Sequence, residues 1–188
     1  MHLIIGPTNS GKSTWIHRTR SAEVAYAFQF IGGVLPPPGT VLHYNLLLSA
    51  PVRLRQGRPI DQWDLLAEPL LHGCLTSGRV SRATVIVAPV ADLLARAARR
   101  RVIEPALPEP GVYSSDLWLP ILRGADHSAL CGRLFDILDA HTVPHRVVFN
   151  ADGGLGDMPE MDRSQVDAAL RGGYAPAAGD PVAQAVRA

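Results

Sequence analysis

The stretch Leu3-Ile4-Ile5-Gly6-Pro7-Thr8-Asn9-Ser10-Gly11-Lys12-Ser13-Thr14 constrains this chain more than any other. It fits G-x-x-x-x-G-K-[ST] at every fixed position, with a short apolar run before it and a helix-like run after it. A strand must feed a tight turn, and the turn must open a helix. Backbone N–H groups and the positive end of that helix then converge on one point, a ready site for a phosphate. Among the 18 Lys and Arg residues, Lys12 is the single lysine, and all the others are arginine. A compact ammonium fits so tight a turn, whereas a planar, forked guanidinium does not replace it well.

With 188 residues and 47% hydrophobic content, one domain with a sizeable core is expected, with room for a small lid or tail. A formal charge of +1 gives no reason to expect a nucleic-acid partner or a polybasic membrane surface. No run approaches the roughly 20 apolar residues that cross a bilayer, and Met1–Ile5 is too short for a signal-peptide core. Cys74 and Cys131 read most simply as two buried thiols, so a cytoplasmic protein is expected.

Strand-like and helix-like stretches alternate along the chain. His2–Ile5 predicts a buried strand, and Gly11 to about Arg20 the helix it feeds. Glu23–Ile31 predicts a second strand, ended by Gly32-Gly33. Leu35-Pro36-Pro37-Pro38-Gly39 is a stiff connector. Val41–Leu47 predicts a strand, and a helical pattern starts at Asp61, a suitable N-cap, and runs through Trp63, Leu65, Leu66, Leu70 and Leu71. Ala83–Ala88 is β-branched and unalternating, which suits a parallel strand covered on both faces. Ala91–Arg101 predicts a helix, 104–112 a proline-containing loop, and Asp116–Leu122 and His127–Ala140 two further helices. Arg146–Phe149 predicts the last strand. The Gly/Ala-rich end, residues 173–188, reads as a loose tail behind a domain over 1–172.

Two stretches carry a family resemblance. Residues 3–14 resemble the phosphate-binding (Walker A) loop of the P-loop NTPase superfamily. Residues 83–101, Val85-Ile86-Val87-Ala88-Pro89 through Arg96 to Arg99-Arg100-Arg101, resemble the strand–helix–arginine stretch of its nucleoside- and nucleotide-kinase-like members. The resemblance implies a three-layer α/β/α fold with a mainly parallel sheet, and an ATP- and Mg2+-dependent phosphotransferase acting on a small-molecule acceptor. Gly6, Thr8, Asn9, Ser10, Gly11, Lys12, Ser13 and Thr14 would then line the nucleotide phosphates, with Ser13 holding Mg2+. A lid over approximately 96–112 would bring Arg96 and Arg100 onto the transferring group, where phosphoryl transfer needs cations. A plainer reading makes these arginines a solvated helix end that complements the helix dipole.

The chain also departs from the patterns of the families it resembles. The strand ending Val87-Ala88-Pro89 lacks the terminal acid of motor and switch ATPases, and an Asn-Lys-x-Asp guanine signature is absent. Where many such kinases carry a carboxylate after the second strand, the stretch here is Val41-Leu42-His43-Tyr44-Asn45. His43 could accept the acceptor's proton and Asn45 could position substrate, or both could be hydrogen-bonded strand-end residues. Asp61 and Asp64 are further options.

Two other readings stay open. One is a nucleotide-binding regulator that works through a protein partner. The other rests on Gly6–Ser13, which is also similar to the opening of isopentenyltransferases, although residues 20–45 contain no aspartate to activate an acceptor. Trp63 and Trp118 read as packing residues or as rings that stack on a base, Trp118 also as a residue that could line an acceptor pocket, and Asn150-Ala151-Asp152-Gly153-Gly154 as a turn or an adenine seat. His141 and His145 have a metal-ligand spacing interrupted by Pro144.

Overall fold

Strand formation follows the apolar runs closely. In the computed structural model, which describes residues 1–19, 23–30, 34–58, 65, 68–103, 115–151 and 158–173, strand β1 (His2–Gly6) is buried along its whole length. β4 (Arg82–Val87) is buried from its second residue onward. Continuous burial is what a central strand covered on both faces requires. Around these two lie β2 (Val24–Tyr26), β3 (Val41–Asn45), β5 (His145–Phe149) and β6 (Glu160–Met161), in the order β2-β3-β1-β4-β5-β6. Every pairing is parallel except β5 with β6. The chain is therefore α/β with a mainly parallel sheet.

Side-chain alternation along β1 divides the core. Leu3 and Ile5 face one way, together with Leu42 and Tyr44 of β3, onto helices α3 (Pro69–Thr76), α6 (His127–Ala140) and α7 (Val166–Leu170). Ile4 faces the other way, with Ile86 and Val148, onto Trp15 and Ile16 of α1 (Lys12–Arg18). A third cluster joins Leu93 and Ala97 of α4 (Val90–Ile103) to Leu122 of α5 (Ser115–Gly124). Helices thus cover both faces of the sheet, an arrangement compatible with three α/β/α layers. Cys74 and Cys131 are buried free thiols, as expected. Among the described residues, no helix is long and apolar enough to cross a membrane.

Where elements differ from expectation, local chemistry accounts for most of it. β2 stops at Tyr26, and Ala27–Phe30 forms a 3-10 turn. The expected strand through Leu47 ends at Asn45, and Leu47 sits in the left-handed region at φ 65°. A short helix, α2 (Ala50–Arg55), fills a stretch with no readable apolar period and begins beside Pro51. The next described α-helix starts at Pro69. Glu68 is extended (φ −80°, ψ 100°), since a residue before proline is pushed out of helical geometry. Asp61, Trp63, Asp64 and Leu66 lie outside the described residues, as do 104–114, Asp152-Gly153-Gly154 and 174–188. Arg146–Phe149 is not the last strand, because β6 follows it antiparallel. Two residues carry no period from which to read a strand.

Leu134 is fully buried on α6. Its truncation to alanine is expected to cost about 2–5 kcal/mol, read as a lower urea midpoint at unchanged slope. A loss within about 0.5 kcal/mol, the range of an exposed site, would contradict this packing.

Candidate functional site

The chain leaves β1 at Gly6, turns through Pro7–Ser10, and enters α1 behind Gly11. Two glycines make the turn possible. A Cβ at Gly6 would stand 2.3 Å from the Ile86 carbonyl oxygen and 2.9 Å from Ser10 Oγ. Gly11 sits at φ 96°, and a Cβ there would lie 2.0 Å from Asn150 Nδ2. Asn9 is also left-handed, at φ 63°, a conformation asparagine tolerates better than most residues.

Inside the turn lies Lys12, only 3% exposed. Its Nζ donates to the carbonyls of Gly6 (3.0 Å) and Pro7 (2.6 Å), with Ser10 Oγ at 3.5 Å. Burial pulls the ammonium down to about 7, because two neutral carbonyls replace only part of its lost hydration. An anion entering the turn would relieve that deficit.

Three neighbours hold the turn in shape. Asn150, directly after β5 and 1% exposed, donates from Nδ2 to the Ser10 carbonyl at 2.7 Å, and its own N–H donates to the Val87 carbonyl at 2.9 Å. Arg96 reaches across from α4. Its Nη1 donates to Asn9 O (3.0 Å) and its Nη2 to Asn150 O (3.1 Å) and Ala151 O (3.2 Å), while Asp92 stands 3.6 Å away. On the other side, the Leu46 N–H donates to the Gly6 carbonyl at 2.8 Å. The segment after β3 is fixed in turn by buried Glu68, which accepts from Tyr44 OH at 3.2 Å and from the Ser49 N–H and hydroxyl. Burial and the Glu68 carboxylate push the Tyr44 phenol far above its usual range, so it stays a donor.

His43 and Ser13 meet at the mouth of the turn. His43 Nε2 lies 3.3 Å from Ser13 Oγ, and the Tyr26 ring packs against the imidazole with centroids 5.1 Å apart. Burial, then the nearby Lys12 charge, hold His43 down to about 3, against the raising effect of a backbone hydrogen bond. The imidazole is therefore neutral at physiological pH.

The structure thus brings Gly6, Thr8, Asn9, Ser10, Gly11, Lys12, Ser13, Thr14, His43 and Arg96 to one place. That place is the carboxyl end of β1, between β3 and β4, where the chain's crossovers diverge to opposite sides. Open α/β sheets bind ligands in such crevices. Arg96 is turned onto backbone carbonyls. Arg100 lies four residues further along α4, half-buried, and Arg101 pairs with Asp116 of α5 at 2.8 Å. The rest of the expected lid, 104–112, lies outside the described residues. Asn45 pairs with Gly6 at the end of the β1–β3 ladder. Trp118 packs in the core. His145 stacks on Phe135 and His141 caps α6, and among the described residues no three His, Cys, Asp or Glu side chains converge on a metal position.

Sequence reasoning missed the supports, Glu68 and the amide of Asn150. Glu68 carries no signal beyond preceding a proline. Asn150 is legible from the sequence as a turn or adenine-seat residue, not as a donor to the Ser10 carbonyl.

The unfolded chain holds the Lys12 proton up to about 10.5, whereas the folded chain releases it near 7. Between those values the unfolded state binds more protons, so this lysine makes stability rise with pH. Wild type should gain stability relative to Lys12→Met as pH increases from 7 to 10 in urea titrations of both proteins. Parallel curves would contradict the buried-ammonium geometry.

No protein-family model, no curated protein and no solved structure matches this chain.

Proposed function

We propose that this chain is a P-loop, kinase-like phosphotransferase of three-layer α/β/α architecture, moving the γ-phosphoryl group of ATP to a small-molecule acceptor. One observation carries the reading. Lys12 is a dehydrated ammonium held by carbonyls of its own loop, in the motif and at the sheet position where a triphosphate would meet it. When phosphates enter, Nζ exchanges neutral carbonyls for anionic oxygens and recovers its proton. The N–H groups of residues 9–14 and the α1 dipole supply the remaining positive field.

The acceptor oxygen attacks the γ-phosphorus in line as the bond to the β–γ bridging oxygen breaks. The phosphoryl group ends on the acceptor and ADP leaves. Mg2+, held with the nucleotide by Ser13 Oγ, would neutralise charge on the phosphates. Arg96, bonded to the carbonyls of Asn9, Asn150 and Ala151, keeps the loop in shape, and Arg100, one turn further along α4, is the arginine assigned to the transferring group. The proton of a hydroxyl acceptor passes to water. His43 stands neutral beside Ser13, and the charge of a bound triphosphate would raise its basicity from the low value set by burial and Lys12.

A second reading, a nucleotide-binding regulator acting through a protein partner, is favoured by the neutral imidazole that stands beside Ser13 in place of a carboxylate. Incubation with γ-labelled ATP and a panel of small hydroxyl and phosphate acceptors separates the two. Label on an added acceptor is expected, falling about 100-fold or more in Lys12→Met while the thermal unfolding transition persists. Full transfer by Lys12→Met, or ADP release that depends only on an added protein, would refute the phosphotransferase.

A further inference from the structure

Ser13 Oγ and His43 Nε2 are 3.3 Å apart. Two neighbouring ligands of an octahedral ion, each about 2.1 Å from it, stand about 3 Å from one another, so this pair is already close to the bite of one cation. Both groups are fixed by regular structure. Ser13 is in the first turn of α1. His43 lies within β3, in register with Ile4 of β1 and Tyr26 of β2, and the Tyr26 ring packs against the imidazole at an interplanar angle of 48°. Bringing the two atoms onto an ion costs little reorganisation.

Nε2 is the ring nitrogen that faces Ser13, and a neutral imidazole ligates a metal through one of its ring nitrogens.

On the reading of the Gly6–Ser13 loop as a triphosphate site, we infer that Ser13 and His43 together ligate a divalent transition-metal ion that enters on the nucleotide's phosphates, in preference to Mg2+. Imidazole nitrogen suits transition metals, while Mg2+ favours an all-oxygen shell and gives up water reluctantly. No three metal-binding side chains converge among the described residues, so the phosphate oxygens and water must complete the shell. The ion would be held only in the ternary complex.

Mn2+ with the β,γ-methylene analogue of ATP is the probe, bound to full-length protein and followed by pulsed electron paramagnetic resonance. The coupling of a directly bound imidazole nitrogen should appear and should change when the protein's histidines carry 15N. It should vanish in His43→Gln. The preference for Mn2+ over Mg2+ in supporting analogue binding should fall at least about tenfold in the same variant. The isotope comparison needs no variant, so misfolding of His43→Gln would not spare the inference. Analogue bound with Mn2+ but without histidine coupling would overturn it and leave the nucleotide reading standing. Failure of the analogue to bind with any cation would remove both.

Discussion

A positive charge taken out of water is costly unless something negative, or at least polar, comes close to it. Here the Lys12 ammonium, 3% exposed, rests on the carbonyls of Gly6 and Pro7. Those partners satisfy its hydrogens but not its charge, and the lysine is pulled down to about 7 as a result. The turn therefore sits in an electrostatic state that an anion improves. Most features around it make sense as means of keeping the turn from relaxing in any other way.

Gly6 and Gly11 let the turn pass against Ile86 and Asn150 with no room for a methyl group. Asn150 and Arg96 then donate to the carbonyls of Ser10 and Asn9 and hold them in place. These two side chains also join the ends of β4, β5 and α4 to the turn, so the site is shared by several elements. Glu68 does similar work on the far side, anchoring Ser49 and Tyr44 beyond β3. The sheet places the turn at the carboxyl end of β1, between β3 and β4, the position at which open α/β sheets bind ligands.

The legible parts of the sequence were those with a period or a rigid local rule. β1 and β4 are continuous apolar runs, α6 has its full predicted span, and the loop motif is fixed by glycines whose need is steric. Three kinds of feature were not legible. β6 is too short to have a pattern, and α2 forms where no apolar period exists. The helix expected from Asp61 meets Pro69, and the described helix begins only there. The supports of the site, Glu68 and Asn150, act through contacts 19 and 140 residues distant, which no local window contains. The sequence points to Arg96 as a cation for a transferring group, whereas the structure turns it onto the carbonyls of Asn9 in the loop and of Asn150 and Ala151 after β5.

The central claim is that the buried ammonium awaits phosphate oxygens, and calorimetry tests it most directly. ATP would be titrated into the protein at pH 8, in two buffers of different ionisation enthalpy, with and without divalent cation. Binding should be accompanied by net proton uptake, because Lys12, held down to about 7 in the free chain, regains its proton against the triphosphate. Absence of binding heat under all these conditions, or binding with no proton taken up, would contradict the account.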